Sequence, residues 1–134
     1  MQRTFTALLV AAMTALAAQP TAAHHSFAAE FDANSPIELT GTVTKVEWAN
    51  PHTFFYIDVT TPEGEVENWA LEMGSPNGLM RRGWTRDSMK IGDVVMVTGS
   101  RAKDGSFKGN ARSVTLAGGK RLFAGSSQDN AEAN

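Results

Sequence analysis

Apolar and polar positions along the chain fall into three regimes. Residues 5–18 (FTALLVAAMTALAA) form a charge-free, apolar run of fourteen residues. From residue 37 to about 116 the apolar positions recur with period two, the signature of strands. One helical signal interrupts them between residues 75 and 83. Beyond Gly118 the chain carries no strand signal and turns polar.

Within the second regime, Ile37, Leu39, Gly41 and Val43 share one face, whereas Val46 and Trp48 continue the apolar series with opposite parity. A parity switch inside one strand is what a β-bulge produces, and Gly41 allows a sharp bend. Asn50-Pro51 ends this first strand. Residues 52–60 predict a second strand, with Phe55, Ile57 and Val59 on one face and Phe54, Tyr56 and Asp58 on the other. Thr61-Pro62-Glu63-Gly64 is a turn, and residues 66–73 follow as a third strand, with Trp69, Leu71 and Met73 opposite Asn68, Ala70 and Glu72. Ser75 as N-cap, Pro76 at the first helical position and Gly83 as stop predict a short helix. A fourth strand starts at Gly92-Asp93 and is apolar on both faces through Val94, Val95, Met96 and Val97, which predicts a central strand. Lys103-Asp104-Gly105-Ser106 is a hairpin signal leading to a fifth strand over about 107–116. Ahead of the strands, Ser26 can cap a helical turn that puts Phe27 and Phe31 on one face. Residues 32–36 (DANSP) close that turn.

Three strands, a helix and two strands, the first strand bent, is the order of the OB-fold, a five-stranded Greek-key barrel. We therefore expect an all-β, OB-fold-like barrel with one short helix, rather than an open antiparallel sheet with a helix across it. The expected organisation is a signal peptide (1–23), an N-terminal arm (24–36), the barrel (37–123) and a disordered tail (124–134).

A length of 134 residues suits one domain and excludes a (β/α)₈ barrel. The absence of cysteine excludes disulfides, thiolate metal sites, iron–sulfur clusters and cysteine nucleophiles. The apolar run at 5–18 is shorter than the roughly 20 residues of a membrane span and suits a secretory signal. Cleavage after Ala23 would make His24 the first residue; cleavage after Ala22 would leave Ala23-His24-His25 at the end. With Arg3 removed, the chain from residue 24 has eleven Lys and Arg against fourteen Asp and Glu, a formal −3. That balance, with export, argues against nucleic acid as a partner. No second apolar run is long enough to span a membrane, so the expected product is a periplasmic or secreted protein.

Several segments carry a resemblance: His24-His25-Ser26-Phe27, Phe31-Asp32, residues 39–46 (LTGTVTKV), Trp48-Ala49-Asn50-Pro51-His52, Gly83-Trp84-Thr85 and Ile91-Gly92-Asp93. Together they resemble an uncharacterised family of small exported bacterial proteins, the domain of unknown function 6152, over about residues 24–122. The resemblance implies export and an OB-like barrel. That family has no assigned reaction, so the resemblance transfers no catalytic residue.

The candidate chemistry lies in the three histidines. His24 at a new N-terminus offers its amino group and a ring nitrogen to one metal ion. A further imidazole, from His52 or His25, would complete a T-shaped nitrogen set, which suits Cu(II). His52 follows the loop between the first two strands, where OB-folds bind ligands, and Asn50 and Pro51 would set that loop. The plainer alternative is a solvated terminus and a turn-capping His52. Trp48, Phe54 and Tyr56 could form a shallow stacking face for a small ligand, or the N-terminal arm could cover that face through Phe27 and Phe31. Arg81, Arg82, Arg86 and Lys90 form a basic cluster that could receive an anion, or simply a solvated helix face. No enzyme signature is present. The expected function is a non-enzymatic small-ligand or metal-binding module. The alternative is a metal-free accessory that binds envelope proteins through exposed Trp48 and Trp84.

Overall fold

The computed structural model describes residues 27–126. A helical turn, α1 (Phe27–Glu30), leads directly into β1 (Phe31–Glu47), followed by β2 (Phe54–Thr60) and β3 (Val66–Glu72). The helix α2 (Pro76–Arg81) comes next, then β4 (Val94–Ala102), β5 (Lys108–Thr115) and β6 (Arg121–Phe123). The sheet order is β3-β2-β1-β4-β5-β6, and a parallel pairing of β3 with β5 joins its two sides. The circuit β1-β2-β3-β5-β4-β1 therefore closes, as the OB-like barrel requires. Each of these five strands is paired on both sides over part of its length.

The period-two faces sort as expected. Val43, Phe55, Ile57, Trp69, Leu71, Val95, Val97, Ala111 and Val114 fill the interior. The parity switch in β1 is a register shift between Val43 and Lys45, so Thr44 is the extra residue. Gly41 also meets a steric demand. A Cβ there would lie 2.6 Å from the Asp58 carbonyl oxygen, so only glycine lets β2 approach. At the base of the barrel, α2 starts with the Ser75 side chain accepting from the Gly78 N–H and with Pro76 at its head. Leu79, Met73, Trp84, Met89, Leu122 and Ala124 are buried in the same core cluster as the strand interior.

Two expectations are corrected, and a third, the central place of β4, holds in the pairing but not in burial. The DANSP segment is not a boundary, because β1 runs through it. Its turn chemistry is present, with the Asn34 N–H donating to Asp32 Oδ1 at 2.9 Å. The turn forms a bulge, since Asp32 pairs with Arg101 and Pro36 with the adjacent Ser100. β4 is central in pairing, between β1 and β5, yet Val94 and Met96 are exposed by 55 % and 44 %. A barrel has one interior, and no helix covers the other face of β4 among the described residues. The segment after Gly118 contains β6, which pairs with β5 through Ser113–Phe123 and Thr115–Arg121.

Candidate functional site

The loop from β1 to β2 carries Trp48, Asn50, Pro51 and His52, and the Asn50–Pro51 peptide is cis. Backbone bonds tie its far end to the end of β3. Thr53 N–H donates to the Gly74 carbonyl at 3.0 Å, and Met73 N–H to the Thr53 carbonyl at 2.8 Å. This places the half-buried His52 ring beside residues 72–74. His52 Nδ1 lies 3.2 Å from the Met73 carbonyl oxygen and 3.5 Å from Glu72 Oε1. A carbonyl can only accept, so Nδ1 is the protonated nitrogen and the lone pair of the neutral ring sits on Nε2. The Glu72 side chain is only 11 % exposed.

His52, Asn50 and Pro51 form one wall of an open cleft of about 770 Å³; Ser75, Arg81 and Arg82 form the other. The chain end at Gly125 and Ser126 completes it. Arg82 Nη1 donates to the Gly125 carbonyl at 2.6 Å, and its guanidinium lies 4.4 Å from the Phe123 ring centroid. Arg81 Nε donates to the Asn77 carbonyl at 3.3 Å. The indole of Trp84 donates to the Phe123 carbonyl at 2.8 Å and pins the same segment from below.

The other expected site residues separate. Trp48 packs at the edge of the core, with the Arg86 guanidinium 5.8 Å from its ring centroid. Phe54 and Tyr56 sit half-buried on the outer face of β2, away from the cleft lining. Tyr56 hydroxyl donates to Glu47 Oε2 at 3.0 Å, and Glu47 is ion-paired with Lys45. Lys45 holds the Glu47 carboxyl below its ordinary range, helped by the Tyr56 hydroxyl. Burial, then the neighbouring Glu47, pushes the Tyr56 phenol up. Lys108 lies between the rings of Phe31 and Phe54, 5.8 and 5.7 Å from their centroids, and is ion-paired with Glu30. The N-terminal arm thus reaches the Phe54 face through a lysine bridge. Trp84 is 2 % exposed, so it is a core residue and not a contact anchor. Of the basic cluster, only Arg81 and Arg82 line the cleft.

Sequence reasoning missed Glu72, Ser75 and the Gly125 segment as parts of this site. The register Phe54–Glu72 between β2 and β3 is what brings Glu72 to His52, and alternation within each strand cannot supply it. His24 and His25 lie outside the described residues. Among the described residues, no group of three or more metal-ligating side chains gathers at one point, and no helix is long and apolar enough to cross a membrane.

No curated protein matches this sequence. The model of a family of unknown function, DUF6152, matches residues 11–112, most of the chain including four of the five barrel strands in full. The chain therefore belongs to the DUF6152 family.

Proposed function

We propose that this chain is an exported, OB-barrel metal-binding module that takes Cu(II) at its mature N-terminus, with His52 as the fixed ligand. The observation that carries the reading is the orientation of His52. Its Nδ1–H is donated to the Met73 carbonyl next to the Glu72 carboxylate. Ligating histidines are set by this kind of partner, which fixes the tautomer and the orientation of the ring. Nε2 makes no hydrogen bond among the described residues and lies on a cleft-lining side chain.

The arm supplies the second support. A mature end is mobile unless tied down, and here Phe31 is 2 % exposed while Glu30 pairs with Lys108 beside Phe54. From Phe27, three residues back to His24 reach about 10 Å when extended. His24 would contribute its amino group and ring, and His25 would serve as a third imidazole. Such a nitrogen set favours Cu(II), which heads the divalent affinity order. Export rests on the leader, and the family match begins inside that leader, at residue 11.

Cu(II) titration of the correctly processed protein tests this, beside His52→Ala and a version retaining one extra N-terminal residue. His52→Ala is expected to weaken binding by at least about tenfold. The longer version, whose Ala23-His24-His25 end puts a histidine third, should bind Cu(II) through a different nitrogen set. Electron paramagnetic resonance of the parent complex should show nitrogen couplings that change in both variants. Equal, weak binding by all three proteins refutes the site.

A further inference from the structure

The cleft has a second property, which the metal reading does not use. Its lining brings together the Arg81 and Arg82 side chains, the Asn50 amide, the Ser75 hydroxyl and the His52 ring, and no carboxylate among the described lining residues. Neither arginine is ion-paired among the described residues. We propose that this cleft binds a small oxyanion, the carboxylate or phosphate group of a small molecule, with Arg81 and Arg82 as the charged donors.

A guanidinium carries five N–H donors in a planar fork that matches an oxyanion. Arg82 gives one donor to the Gly125 carbonyl and is stacked 4.4 Å from the Phe123 ring centroid, so its plane is held before any ligand arrives. Preorganisation of this kind lowers the entropy lost on binding. Arg81 spends its Nε–H on the Asn77 carbonyl, which leaves its two terminal nitrogens for a ligand. The Ser75 oxygen accepts from the Gly78 N–H and retains its own O–H as a donor. The volume, about 770 Å³, falls in the range of small-molecule sites. A second concavity, bounded by Glu38, Arg112 and Arg121, differs in carrying a carboxylate on its wall, and Arg121 Nε is already bonded to Ser113 Oγ at 3.0 Å. It serves as the internal control.

The test is a titration of the ¹⁵N-labelled, processed protein with inorganic phosphate in one arm and succinate in the other, at constant ionic strength and with a chelator present. Saturable amide shifts are expected at Gly74, Ser75, Gly78 and Gly125. The arm with the tighter curve identifies phosphate or carboxylate as the better-matched group. Arg81→Ala should weaken that curve by at least about tenfold, the usual scale of a lost charge-assisted hydrogen bond. Arg81→Lys should give a smaller loss, because charge remains but the planar fork does not. Arg112→Ala should leave the curve unchanged. Absence of saturation in both arms overturns the proposal, as does an Arg81→Ala curve equal to the parent or a loss as large in Arg112→Ala. The chelator separates this result from copper binding, so either reading can fail alone.

Discussion

Replacing Trp84 with phenylalanine tests whether its indole holds the segment at Phe123 in place. The indole is 2 % exposed and donates to the Phe123 carbonyl at 2.8 Å. Phenylalanine keeps most of the apolar volume and removes the donor. Leaving this part-buried carbonyl short of its partner costs about 1–3 kcal/mol. Taking about 2 kcal/mol as the central figure, a domain of this size should lose roughly 8–16 °C in Tm. That is a large share of the roughly 5–15 kcal/mol that holds a domain folded. The assay is urea unfolding followed by circular dichroism, with Trp48→Phe as the half-buried control at the loop. The midpoint of Trp84→Phe should fall with an unchanged slope, and that of Trp48→Phe should move much less. The segment Trp84 pins carries Ala124, whose carbonyl accepts from the Gly74 N–H, so hydrogen exchange at Gly74 should also quicken. A Trp84→Phe midpoint within about 0.5 kcal/mol of the parent, the range of ordinary surface changes, refutes the pin.

Two further outcomes follow from particular contacts. A Cβ at Gly99 would lie 1.9 Å from the Asn110 carbonyl oxygen, where β4 and β5 shift register, and neither backbone can move without opening the barrel. Gly99→Ala should therefore cost at least the roughly 1–3 kcal/mol of an overpacked core, read as a lower urea midpoint; a neutral result would place the register shift elsewhere. On the outer face, the Glu47 carboxyl is depressed, by Lys45 first and then by the Tyr56 hydroxyl. A depressed acid contributes stability above its unfolded pKa and loses it as pH falls through the lower folded value, so this contact weakens as pH drops below the ordinary carboxylate range. Carboxyl NMR should show the Glu47 midpoint rising in Lys45→Ala and, by less, in Tyr56→Phe; the reverse order, or an undepressed parent, counts against the geometry.

The barrel was legible because its faces alternate, and burial of one face is what the barrel demands. Ile57 and Trp69 face each other across β2 and β3 with 0 % and 4 % exposure, as their parity implies. Val43 and Val46 straddle the bulge that their parity switch implied. β6 was not legible, because three residues cannot show a period. What places Leu122 and Ala124 inside is a set of distant bonds, from Trp84 to Phe123 and from Gly74 to Ala124. The turn residues at 32–36 named their local chemistry correctly and their context wrongly. An Asx turn fits inside a bulged strand as well as between elements.

The same limit governs the site. Its loop could be read from Asn50, Pro51 and His52 because loops of an OB barrel border its ligand face. Its opposite wall depends on where α2 packs and on which strand end lies beside His52, both long-range facts. Arg81 and Arg82 looked like a solvated face because helical spacing says nothing about what lies across a gap. Once the gap is drawn, the two halves of the site carry opposite demands. The His52–Glu72 side, with a fixed tautomer and a nearby carboxylate, suits a cation; the Arg81–Arg82 side suits an anion. Coulomb attraction at about 4 Å is worth about 4 kcal/mol at the effective dielectric of a protein surface. If both ligands occupy the cleft at such a distance, each must tighten the other by the same factor. Succinate or phosphate added to the copper titration would then sharpen it in the parent and not in Arg81→Ala. Equal copper affinity with and without the anion would mean that the two walls serve separate ligands.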